Sequence, residues 1–194
     1  MDEKRMGMES LGELKEIMEN LNIMSIYQME EKILQANRIF VCAAGRSFLA
    51  MKFFAMRLMQ LGFVTYIVGE VCTPSIHKGD LLIIGSGSGE TQSMQNILGK
   101  AMEHGAKTAL FTKNKYSAMA QKADSVIVLN TKEKIEEGAS DEQGWDLENY
   151  KSIRPSGNPF EQGIVVVGDA IVCGLMLKLK RGTSYIAANH ANLE

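Results

Sequence analysis

Five short β-rich runs, at 38–43, 64–68, 80–85, 107–112 and 125–129, limit what this chain can become. The central ones, such as Leu81-Leu82-Ile83-Ile84, are continuously apolar instead of alternating with polar residues, which marks strands buried on both faces. Helical stretches separate them: 48–61, 91–104 (closed by Gly105), a short one at 117–122, and a long apolar one at 160–180. Strand and helix in alternation predict an α/β fold, a three-layer α/β/α sandwich around a five-stranded parallel sheet. Two amphipathic helices are expected in residues 1–37, where Leu11, Leu14, Met18 and Leu21, then Ile26, Met29 and Ile33, recur at helical spacing.

A chain of 194 residues fits one domain, 1–194, with 1–37 as a helical extension. Residues 131–158 break the rhythm. They carry Glu133, Glu136, Glu137, Asp141, Glu142, Asp146 and Glu148 among Gly and Pro breakers, and read as an acidic surface loop or a lid. Residues 183–194 read as a C-terminal tail. Helix 48–61 is apolar nearly all round, interrupted by Lys52, Arg57 and Gln60. One side is expected to face the sheet and the other a partner subunit.

Charge and cysteine content exclude several classes. A net charge of −2 supports neither a broad nucleic-acid surface nor a polybasic membrane patch. Cys42, Cys72 and Cys173 are odd in number and far apart, which disfavours a disulfide framework or a zinc ribbon and suits a reducing cytoplasm. The N-terminus lacks a signal-peptide pattern. The longest apolar stretch, 163–177, holds Asp169 and reads as too short to span a bilayer.

Two strand-to-helix junctions carry the candidate chemistry. Gly85-Ser86-Gly87-Ser88-Gly89-Glu90-Thr91 follows an apolar strand and opens a helix. Alternate glycines let backbone N–H groups converge on an anion at a helix N-terminus, and Ser86, Ser88 and Thr91 add hydroxyls. No Gly-Lys-Ser/Thr occurs, and the spacing is not G-x-G-x-x-G, so a small phosphate fits better than a nucleotide. The plainer alternative is a flexible turn with an N-cap hydroxyl. Gly45-Arg46-Ser47 repeats the arrangement after the first strand, adding a guanidinium. Open parallel sheets bind ligands beyond the carboxyl ends of their strands, so both junctions belong to one edge.

The loop Ser86-Gly87-Ser88-Gly89-Glu90-Thr91 resembles the phosphosugar signature of sugar isomerase (SIS) domains. Gly45-Arg46-Ser47, 55–63, Thr73-Pro74, 78–82 and the terminal 190–194 extend the likeness to 6-phospho-3-hexuloisomerases, over most of the chain from Asn37 onward. The resemblance implies interconversion of D-arabino-hex-3-ulose 6-phosphate and fructose 6-phosphate, a step of formaldehyde fixation through ribulose monophosphate. It further implies no metal, no organic cofactor, and a cytoplasmic homo-oligomer, with a tetramer favoured over a dimer. Gly45, Arg46, Ser47, Ser86, Gly87, Ser88, Gly89, Glu90 and Thr91 would hold the sugar phosphate.

Moving a carbonyl between neighbouring carbons needs one base that takes a proton and returns it through an enediol. The resemblance gives that role to Glu161, with His190 assisting from a neighbouring subunit. Glu161 alone also reads as an ordinary acid in a first helical turn, and His190 as part of a frayed tail. His104, before Gly105, reads as a helix-capping residue and His77 as exposed. Two other readings stay open. Gly168-Asp169-Ala170 resembles a segment of arabinose 5-phosphate isomerases, and a silent SIS module could sense a phosphosugar without turning it over.

Overall fold

The computed structural model describes residues 2–129 and 159–193. The expected lid, 131–158, lies outside them. In chain order the elements are α1 (Glu3–Asn20), α2 (Ile23–Gln35), β1 (Ile39–Ala43), α3 (Gly45–Gln60), β2 (Thr65–Ile67) and β3 (Leu81–Gly85), followed by α4 (Gln92–Glu103), β4 (Lys107–Thr112), β5 (Ser125–Val128), α5 (Phe160–Leu179) and α6 (Thr183–Ala188). The five strands form one parallel sheet in the order β2-β1-β3-β4-β5. The three-layer expectation holds.

The strands are apolar throughout because both faces are covered. Ile39, Val41, Ala43, Leu81, Ile83, Ala109, Phe111 and Ile127 pack towards α3 and α5, with α2 beside α5 on β5 and α1 against α5. Phe40, Cys42, Leu82, Ile84 and Leu110 point the other way, onto Met94, Leu98 and Ala101 of α4. Period-two alternation sorts one apolar run into two cores. Burial also pushes the Cys42 thiol up to about 12, while Cys72 and Cys173 are exposed; all three are free.

Three local readings change. Residues 117–122 are turns, not a helix. The Ala118 amide donates to Glu90 Oε1 (2.7 Å) and the Met119 amide to Gly89 O (3.3 Å), so these donors are spent on the neighbouring loop. The tail contains α6, anchored on the end of α3 by Arg181 Nη1 to Leu61 O (2.5 Å) and Asn189 Nδ2 to Gln60 O (3.2 Å). The 163–177 stretch belongs to a 20-residue helix that is long and apolar enough, by length and composition, to cross a membrane. Here α5 packs as a core element. Ile164, Val167, Ile171 and Leu175 share one face at helical spacing and are fully buried. Gly168 permits the close approach of α3, since a Cβ there would lie 3.0 Å from Phe54 Cδ2.

Helix α3 begins at Gly45, before the expected 48. Ala50, Met51, Phe54, Ala55 and Leu58 are buried, but Leu49, Phe53 (61% exposed), Met56 and Met59 form an uncovered stripe.

Candidate functional site

From β1 the sheet is extended first to one side, by β2, and then to the other, by β3, β4 and β5. The resulting switch point between the carboxyl ends of β1 and β3 is where open parallel sheets form ligand crevices. Ala43 and Gly85 are register partners on those strands, so the 44–47 and 86–91 junctions leave the sheet side by side. Gly45, Arg46 and Ser47 form the first turn of α3, with Gly45 at φ +58°. Loop 86–91 leads into α4.

The loop is braced from β4 and the turn after it. Ser86 N donates to Phe111 O (2.9 Å), Lys113 N to Gly87 O (2.9 Å), and Thr112 Oγ1 to the same Gly87 carbonyl (3.2 Å). Gly89 has φ +68°, a conformation suited to glycine, and a Cβ there would collide with Ser117 Oγ. Glu90 is held by the Ala118 amide and by Gln95 Nε2, which reaches its Oε2 (3.2 Å). Ser88 Oγ accepts from Glu90 N (3.2 Å), and Ser86 Oγ pairs with Thr91 Oγ1 (3.3 Å).

Thr91 is the N-cap residue of α4, yet its side chain makes no cap hydrogen bond. The N-cap residues of α3 (Ala44) and α5 (Pro159) make none either. The first amides of each helix have no intrahelical partner, so these N-termini retain donors and the positive end of the helix dipole.

Helix α5 brings the carboxylate. Phe160 lies against the loop: a Cβ on Gly87 would sit 3.3 Å from its ring. The next residue, Glu161, accepts from Arg46 Nε at 3.1 Å, its side chain 15% exposed and that of Arg46 72%. So exposed a guanidinium orients the carboxylate more than it stabilises the fold. Of the sequence-derived candidates, Arg46, Ser86, Gly87, Ser88, Gly89, Glu90, Thr91 and Glu161 are linked by these contacts, and Ser47 sits beside Arg46 in the same helical turn.

His190 is not brought to this edge within the chain. It is exposed and follows Asn189, which bonds Gln60 at the far end of α3. Sixteen helical residues at about 1.5 Å rise separate the ends of α3 by roughly 23 Å. His104 is the C-cap residue of α4, as expected, and His77 is exposed with Nε2 2.9 Å from Ser75 Oγ. Sequence reading missed Thr112, Lys113 and Ser117. Their signal was the position of Thr112-Lys113 at the carboxyl end of β4, beside the loop. Among the described residues no three His, Cys, Asp or Glu side chains come together as a metal-holding group.

A parallel sheet with a glycine-rich loop at its switch point, and a carboxylate on the helix that packs against that loop, defines a doubly covered α/β protein. Residues 32–142 match the SIS domain, and the chain belongs to that family. It is 42% identical over 168 residues to 3-hexulose-6-phosphate isomerase of Bacillus subtilis (strain 168), covering 86% of this chain and 85% of that one. It is 36% identical over 169 residues to the Methylomonas aminofaciens enzyme of the same name, covering 85% and 87%. A Methanococcus jannaschii protein, whose crystal structure infers a molecular function of 3-hexulose-6-phosphate isomerase, superposes over the full length of both chains with a TM-score of 0.79 at 30% identity.

Proposed function

We propose that this protein is an isomerase interconverting D-arabino-hex-3-ulose 6-phosphate and fructose 6-phosphate. The observation that carries the reading is the Arg46–Glu161 contact, which seats one carboxylate beside a loop able to hold a phosphate. The named relatives support the substrate.

Ser47, Ser86, Ser88 and Thr91, with the amides of Gly87 and the α4 N-terminus, hold the phosphate. Gly45 and Gly89 shape the backbone, and Arg46 and Glu90 line the sugar. Glu161 takes the proton from C2 of the 3-ulose, giving an enediol, and returns it to C3 while the hydroxyl proton moves from O2 to O3. No metal or organic cofactor enters this scheme. His190 assists from a neighbouring copy, because its own chain holds it at the other end of α3. The exposed stripe of Leu49, Phe53, Met56 and Met59 suits such a homo-oligomer, a tetramer in this reading. The setting is the cytoplasm and the reaction that follows aldol addition of formaldehyde to ribulose 5-phosphate.

The test is an assay coupled to fructose 6-phosphate formation. Wild-type turnover should fall by about 10³-fold in Glu161→Gln, with circular dichroism unchanged. Full activity in that variant overturns the role of Glu161. Sugar phosphate binding without wild-type turnover overturns the enzyme in favour of a sensing module, and preference for arabinose 5-phosphate overturns the substrate.

A further inference from the structure

Lys113 stands outside every role assigned above, although its backbone is part of the site. It is the first residue after β4, and its amide donates to Gly87 O at 2.9 Å, which ties it to the glycine loop. Its side chain folds back over that loop: Lys113 Cε lies 3.3 Å from the point a Cβ on Gly87 would occupy. Phe160 reaches the same point from the other direction, also at 3.3 Å. The ammonium is one bond of about 1.5 Å further on, so it stays within about 5 Å of that point above the bare Gly87 backbone.

A cation in this position is electrostatically misplaced on its own. The loop runs into the N-terminus of α4, and Phe160 is the first residue of α5. Both helix ends present partial positive charge, which a lysine does not compensate. The nearby carboxylates are otherwise engaged: Glu161 with Arg46, Glu90 with the Ala118 amide and Gln95. Among the described residues Lys113 has no carboxylate partner. An anion lying between the ammonium and the amides would satisfy both.

We propose that Lys113 is a substrate-binding cation, closing over the phosphate from the β4 side while Arg46 flanks the cradle from the β1 side. The proposal rests on the phosphosugar reading above and adds an affinity-setting residue to it. Glu161 keeps the proton transfer, so Lys113 acts on binding and not on the chemical step.

The experiment measures KM and kcat of Lys113→Met and Lys113→Arg against wild type, with isothermal titration of inorganic phosphate into each. Methionine keeps the stem that covers Gly87, so folding is retained. Losing one charge-assisted contact raises KM about tenfold, leaves kcat within about twofold, and weakens phosphate binding in parallel. Lys113→Arg keeps KM within about threefold of wild type. Added salt raises the wild-type KM more steeply than that of Lys113→Met. An unchanged KM and phosphate affinity in Lys113→Met overturns the proposal, and so does a loss confined to kcat. A wild-type protein without isomerase activity, whose phosphate binding still depends on Lys113, overturns the activity reading and upholds the lysine's role.

Discussion

The two edges of the sheet handle charge in opposite ways. At the amino edge, Asp80 is buried at the start of β3, where it accepts from Arg38 Nε (3.1 Å), Arg38 Nη2 (2.6 Å) and the His77 amide (2.9 Å). Asp124 beside β5 accepts from both the amide and the hydroxyl of Thr108, with Lys107 Nζ at 3.3 Å. Burial alone would raise both carboxyls; the hydrogen bonds and cations outweigh it and hold them below the usual aspartate range. At the carboxyl edge, Arg46 is mostly exposed, Lys113 has no carboxylate partner among the described residues, and three helices begin without side-chain caps. The same residue types thus form buried, multiply bonded pairs at one edge, and at the other an exposed pair, Arg46 with Glu161, beside helix ends without side-chain caps. Helices α1 and α2, by contrast, are capped by the side chains of Asp2 and Asn22.

The contrast can be broken most severely at Gly89. Gly89→Ala forces a Cβ into Ser117 at a left-handed backbone angle and should cost about 3 kcal/mol in chemical unfolding. Trimming Ser117 to Gly in the same chain should recover part of that cost, the remainder being backbone strain. Next in size, Asp80→Asn should lower stability by about 2 kcal/mol while leaving phosphate affinity intact, because the amino edge only holds the fold. Its pH signature follows from the lowered carboxyls. Their stabilisation is fully present above the unfolded aspartate value of about 3.9 and disappears as pH falls through the lower folded values. Thermal scans between pH 6 and 3 should therefore slope downward in the wild type and less so in Asp80→Asn. The smallest effect separates the two kinds of helix start. Asn22→Ala should lose about 1 kcal/mol of stability, whereas Thr91→Ala should stay within about 0.5 kcal/mol yet weaken phosphate binding. Equal stability losses in the two would dissolve the distinction.

The parallel sheet was legible because each strand is covered on both faces, which leaves a continuous apolar run that no half-solvated strand shows. The glycine loop was legible for a related reason: its shape lies in backbone, and glycine spacing records backbone directly. Residues 117–122 misled because short-range periodicity cannot register that the Ala118 and Met119 amides bond across to Glu90 and Gly89. Lys113 and Ser117 passed unnoticed since their part depends on β4 lying next to β3, a long-range pairing. Helix α5, read at 160–180 and found at Phe160–Leu179, was legible because apolar residues recur along its whole length.

The seating of Gly89 on Ser117 has an evolutionary consequence. The loop draws its shape from main-chain atoms and from two small hydroxyl residues, Thr112 and Ser117. Between them, the exposed side chains of Lys115 and Tyr116 take no part in that support, while Asn114 Oδ1 accepts from the Tyr116 amide (2.9 Å) and holds the turn. A lineage can therefore change the length and charge of the side chains beside the loop by substitutions at 113, 115 and 116. The main-chain mould stays fixed while the trim around it is exchanged, so the rim of the crevice can vary without risking the fold.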